Sequence, residues 1–108
     1  MKVLLINGSP NQTGCTYTAL HEVETTLQAN GIETELLYLG KKPIAGCIAC
    51  GACMNTGHCF RDDLVQEIQK RLDEFDAIVI GSPVYYSAPT GQLVSFLNRL
   101  FFATKNPW

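Results

Sequence analysis

Lys2-Val3-Leu4-Leu5-Ile6-Asn7-Gly8-Ser9-Pro10-Asn11-Gln12-Thr13-Gly14-Cys15-Thr16 opens the chain and decides the reading of its fold. Residues 3–6 form a continuous apolar run, β-branched in part, which suits a strand buried on both faces of a parallel sheet. Residues 8–14 are dense in turn formers and predict a loop. Residues 16–30 predict a helix, with Leu20, Val23 and Leu27 at helical spacing and Asn30-Gly31 as its stop. A strand that runs through a small-residue loop into a helix is a ready anion site, because the N–H groups at the helix start point outward. Ser9, Asn11, Thr13 and Thr16 add side-chain donors, and the loop holds no Lys or Arg. Neutral donors would therefore hold a phosphate there. The Gly-Lys-Ser/Thr of a triphosphate loop is absent, as is the closely spaced glycine triplet of a dinucleotide loop. Cys15 lacks the arginine that a Cys-x5-Arg phosphatase loop would place six residues later. Taken alone, the stretch is equally readable as an ordinary turn between strand and helix.

Outward from this unit the pattern repeats in kind. Residues 32–39 predict a second strand, with Ile32, Leu36, Leu37 and Leu39 apolar. Residues 40–60 show no clear period and predict a long loop, a length that usually signals function. Asp62 is placed to cap a helix running to about residue 75, with Leu64, Ile68 and Leu72 on one face. Residues 77–80 predict a third buried strand and residues 81–89 a loop rich in Ser, Pro and Tyr. Thr90 opens a last helix with Leu93, Phe96, Leu97, Leu100 and Phe101 apolar. The order βαβαβα predicts a parallel sheet with right-handed crossovers and helices on both faces.

The 108 residues are 46% hydrophobic and 17% charged, a globular balance at single-domain size. A net charge of −2 with scattered Lys and Arg gives no basic footprint for nucleic acid. No apolar run approaches the ~20 residues of a membrane span. The short apolar start breaks at Asn7-Gly8-Ser9-Pro10 and is not patterned as a secretory signal, so a cytoplasmic location is expected. Four of the five cysteines fall in the pattern Cys47-x2-Cys50-x2-Cys53-x5-Cys59. Such crowding favours metal or redox chemistry over a disulfide framework. Four thiolates in one loop can close around an iron–sulfur cluster. A four-cysteine zinc site, and free thiols or a disulfide without metal, stay open beside that reading. His58, inside the motif, reads as a loop residue, and Cys15 as a phosphate-loop residue.

Gly8-Ser9-Pro10 after the first strand, with Gly81-Ser82-Pro83-Val84-Tyr85 after the third, resembles the NADPH-dependent FMN reductase branch of the flavodoxin-like superfamily over the whole chain. The resemblance implies a flavodoxin-like three-layer α/β/α sandwich of strand order 2-1-3-4-5, in which the loops after strands 1 and 3 meet at the switch point where ligands bind. It implies that Ser9, Asn11, Gly14, Cys15 and Thr16 surround the phosphate of flavin mononucleotide (FMN). Pro83, Val84, Tyr85, Tyr86 and Ser87 would line its ribityl chain and isoalloxazine ring. Many members carry a basic residue in place of Asn11 and a small polar one in place of Cys15, so a weaker phosphate affinity is expected here. The cysteine spacing resembles the iron–sulfur flavoprotein family, which implies a 4Fe–4S cluster on Cys47, Cys50, Cys53 and Cys59.

The implied activity is FMN-dependent oxidoreduction. It would take electrons from NAD(P)H or a redox protein, pass them to a small-molecule or protein acceptor, and need no general base. A non-enzymatic flavodoxin-like electron carrier is the alternative, and a dimer or tetramer is expected. The familiar fold has two strands more than the three found here. The expectation is thus an incomplete domain, stopping at Asn106-Pro107-Trp108 with an unpaired buried edge on residues 77–80, or an assembly that covers this edge.

Overall fold

The computed structural model describes residues 1–103; Asn106-Pro107-Trp108 lies outside them. The chain runs β1 (Lys2–Asn7), α1 (Cys15–Ala29), β2 (Glu33–Tyr38), α2 (Cys53–Thr56), α3 (Leu64–Lys70), a 3-10 turn (Leu72–Glu74), β3 (Ala77–Gly81) and α4 (Gly91–Phe102). The strands form one parallel sheet of order β2-β1-β3, with Leu5 of β1 opposite Leu36 on one side and Val79 on the other. β1 is central because its side chains are apolar on both faces. Val3 and Leu5 pack with Leu20 of α1, edged by Leu27, Ile32, Leu36 and Val79. Leu4 and Ile6 face the opposite layer, where Val65, Ile68, Leu93, Phe96 and Leu100 of α3 and α4 close the larger core. This is the expected three-layer α/β/α arrangement of the flavodoxin-like class, and a strand's two-residue period produces it.

Four details depart from the sequence reading. The cap of α3 is Asp63 and not Asp62: the Asp63 carboxylate accepts from Val65 N at 3.1 Å. The long helix expected to run to residue 75 stops at Lys70 and resumes as the 3-10 turn. Arg71 sits at the break with φ −105°, its guanidinium forked onto Glu35 of β2 at 2.9 and 2.7 Å. Val23 is 38% exposed, so the apolar stripe of α1 narrows to Leu20 and Leu27. β3 is not buried throughout, for Ala77 and Ile80 are exposed. The cause is its place at the sheet edge, where among the described residues only β1 pairs with it. No helix of the described residues is long and apolar enough to cross a membrane.

Candidate functional site

β1 ends on Asn7, a buried amide that organises the loop after it. Asn7 Oδ1 accepts from Ser9 N at 3.0 Å, and Nδ2 donates to Gln12 O at 3.4 Å. Ser9, itself buried, accepts from Asn11 N at its Oγ (3.1 Å), which places it beneath the loop. Tyr38, the last residue of β2, donates its hydroxyl to Pro10 O at 2.7 Å. The loop delivers the chain to Gly14, the N-cap of α1, in an extended conformation with no side-chain cap and no acidic residue in the first turn. The first N–H groups of a helix have no intrahelical partner. Here they open beside exposed Asn11, Gln12, Thr13 and Cys15, with Thr16 half-buried behind them. This end of α1 is electropositive through its backbone, not through any side-chain cation.

The loop after β3 is locked to the first one. Gly8 N donates to Gly81 O at 2.8 Å, and Gly8 O accepts from Thr90 Oγ1 at 2.7 Å. Both glycines are required by packing. A Cβ on Gly8 would stand 2.9 Å from Leu93 Cδ2, and one on Gly81 would stand 2.9 Å from Leu20 Cδ1. Thr90 also caps α4, accepting from Leu93 N at 3.3 Å, as its sequence position predicts. Ser82 Oγ accepts from Thr90 N (3.0 Å) and donates to Pro83 O (2.8 Å). Beyond Pro83 the backbone makes a two-residue hairpin, closed by Tyr85 N to Ala88 O (2.7 Å) and Ala88 N to Tyr85 O (3.1 Å). Its two central residues, Tyr86 (φ 47°) and Ser87 (φ 64°), are left-handed, the geometry that normally selects Asn or Gly. The turn projects Tyr86 fully into solvent, with Val84 and Tyr85 also exposed. Strain of this kind, about 1–3 kcal/mol per residue, is typical of functional loops.

The cysteine loop forms a second feature. Cys47, Cys50, Cys53 and Cys59 border one shallow hollow, shared with Phe60, Arg99 and Phe102. Within it, Ala49 (φ 57°) and Gly51 (φ 80°) turn the chain, and the single-turn α2 ends on left-handed Gly57. The five cysteines are free thiols. Among the described residues no three His, Cys, Asp or Glu side chains converge on one metal-ion position. Cys59 is the most supported: its N donates to Gln69 Oε1 and its carbonyl accepts from Gln66 Nε2, both at 2.8 Å. Arg99 Nε and Nη2 each donate to its Sγ at 3.4 Å. Burial pushes the Cys59 thiol up, but the Arg61 backbone N–H and the Arg99 guanidinium outweigh it and hold the thiol below its usual range. His58 places its Nδ1 3.0 Å from the Cys59 carbonyl oxygen.

The structure thus joins the β1 and β3 loops at the carboxyl end of the sheet and gathers the four cysteines around one hollow. Cys15 lies in the former, at the first position of α1. The sequence reading missed Asn7, Gln66, Gln69 and Arg99. A signal existed for two of them: an amide closing an apolar strand, and a cation on the buried stripe of α4 beside Phe96 and Leu100.

The NADPH-dependent FMN reductase family model matches residues 1–108. The chain is 39% identical to an iron-sulfur flavoprotein of Methanocaldococcus jannaschii, over 92% of this chain and 51% of that protein. It is 34% identical to an iron-sulfur flavoprotein of Archaeoglobus fulgidus, over 93% of this chain and 46% of that one. A third, from Methanosarcina thermophila, is 30% identical over 98% and 59%. The chain spans about half the length of the curated relatives it matches.

Proposed function

The chain belongs to the NADPH-dependent FMN reductase family, and on that footing we propose that it is a flavoprotein that holds FMN on its β1 and β3 loops and a 4Fe–4S cluster on its cysteine loop. The observation that carries the FMN reading is the N-terminus of α1, which lacks both a side-chain cap and a first-turn carboxylate at the switch point of a parallel sheet. Cys15, Thr16 and the neighbouring loop would supply neutral donors to the phosphate, with Ser9 and Gly14 shaping that loop and Asn11 at its rim. Pro83, Val84, Tyr85, Tyr86 and Ser87 would border the rest of the flavin, Tyr86 offering an exposed ring face. Bound FMN accepts two electrons as hydride and releases them singly; the protein's part is to bind and orient it.

Cys47, Cys50, Cys53 and Cys59 fit the cluster by donor chemistry, four thiols around one hollow. A polynuclear cluster engages separate metal atoms, so its ligands need not meet at one point as the four ligands of zinc must. The electron source would be NAD(P)H or a redox protein, and the acceptor a small molecule or a protein. Anaerobic purification followed by a visible spectrum and iron and sulfide analysis tests both cofactors. The expected protein is yellow-brown with about four irons per chain, the content of the cluster type proposed. A colourless chain that fails to bind added FMN would sink the flavin reading. One zinc without iron would sink the cluster reading. Bleaching of the flavin by NAD(P)H under turnover identifies an enzyme, and flavin that stays oxidised identifies a carrier.

A further inference from the structure

Helix α4 carries a cation on the face it buries. Arg99 is 1% exposed, beside Phe96 and Leu100. A guanidinium is buried without large cost only when its donors are met, and Arg99 uses all five N–H groups. Nη1 donates to Ala45 O (3.0 Å) and Asp63 Oδ2 (2.7 Å). Nη2 donates to Asp63 Oδ1 (2.9 Å) and to Cys59 Sγ (3.4 Å), and Nε donates to the same sulfur at 3.4 Å. The Asp63 fork and the Ala45 carbonyl fix the plane of the guanidinium; its remaining edge is aimed at one cysteine of the four. Cys47 and Cys50 are exposed by contrast, and among the described residues the Cys47 sulfur takes only the local Ala49 N–H at 3.4 Å.

We infer that Arg99 is a positioning residue for the cysteine-loop centre: it pre-orients Cys59 as a ligand and, through two N–H···S bonds and its charge, raises the reduction potential of the cluster held there. The inference rests on the cluster reading given above. Adding an electron makes a thiolate-bound cluster more negative. Hydrogen bonds to its sulfurs and a nearby cation favour that reduced form, and these are the levers by which proteins set such potentials. An ion pair serving only to hold α3 against α4 would need the Asp63 fork but not the edge turned to sulfur.

The test compares the wild-type chain with Arg99→Lys and Asp63→Asn after anaerobic loading with iron and sulfide. Iron content, thermal melting and the cluster's midpoint potential are read in each. Lysine keeps the charge opposite Asp63 but loses the fork that reaches sulfur. Its midpoint should fall by the equivalent of about tenfold in the one-electron equilibrium, 59 mV. Asp63→Asn leaves the guanidinium beside Cys59, so it should lower the melting temperature without lowering the midpoint. A loaded Arg99→Lys protein with the wild-type midpoint overturns the role of Arg99. So does an Asp63→Asn midpoint that falls in step with it, because loss of structural support would then be what the potential reads. A wild-type chain that takes up no iron and sulfide overturns the cluster reading itself.

Discussion

Replacing Thr90 by Val removes one hydroxyl and keeps the side chain's shape. That hydroxyl is 3% exposed with its residue and serves two partners, donating to Gly8 O at 2.7 Å and accepting from Leu93 N at 3.3 Å. Losing a good helix N-cap costs about 1 kcal/mol. Leaving a buried carbonyl without its donor costs about 1–3 kcal/mol more. The expected loss is therefore about 2–4 kcal/mol, a large part of the ~5–15 kcal/mol that stabilises a domain of this size. At a urea slope of ~1.5 kcal/mol/M the unfolding midpoint falls by about 1.3–2.7 M. Thr90→Ser is the control: it keeps both hydrogen bonds and deletes a buried methyl, at about 1 kcal/mol. Urea unfolding followed by far-UV circular dichroism measures all three proteins. If Thr90→Val and Thr90→Ser are equally stable, the hydroxyl does not clamp the two loops. The same Val variant should weaken FMN binding, since Gly8 O anchors the loop proposed for the phosphate.

Gly14→Asp introduces a carboxylate at the uncapped start of α1. Its repulsion against a phosphate about 4 Å away is ~1 kcal/mol even at the dielectric of water, so the FMN dissociation constant should rise at least about fivefold. Fluorescence titration decides, and an unchanged constant removes the phosphate from this helix end. Tyr86→Ala should leave the unfolding free energy within about 0.5 kcal/mol, because the side chain is fully exposed, while FMN binds more weakly. Equal FMN affinity would show that the ring lies elsewhere. Burial pushes the Asp63 carboxyl up, but the hydrogen bond and charge of Arg99 bring it below its ordinary 3.8. Its folded value lies under its unfolded one, so the stability it adds is complete above about pH 4 and is lost as pH falls through the folded value. Unfolding free energies between pH 2.5 and 7 should therefore drop more steeply on acidification in the wild type than in Asp63→Asn; parallel curves would refute the linkage.

The two candidate centres share one helix, α4. Thr90 at the start of α4 holds the β1 loop, and Arg99 nine residues later holds Cys59. At 1.5 Å per residue these anchors lie ~13.5 Å apart along the helix axis. A shift of α4 would disturb both loops together, so variants in its buried face should change flavin and cluster properties jointly.

What the sequence determined is what neighbouring residues encode. The apolar run of β1, the turn-rich loop after it, the helical spacing of Leu93, Phe96 and Leu100, the Thr90 cap and the cysteine spacing are local patterns, and each appears where the sequence places it. From them follow the parallel α/β architecture and the two loops at its carboxyl end. Tertiary structure decided what depends on partners remote in the chain. Thr90 meets Gly8 across 82 positions, and Arg99 meets Cys59 across 40 and Asp63 across 36. No local period records such pairs. The choice of Asp63 over Asp62 as the cap of α3 shows the reason. Two adjacent carboxylates are equivalent to the backbone, and a buried guanidinium arriving from α4, whose charge must be paired, selects between them. The edge position of β3 has the same origin: its apolar run matches a buried strand, but its exposure depends on which strands lie beside it.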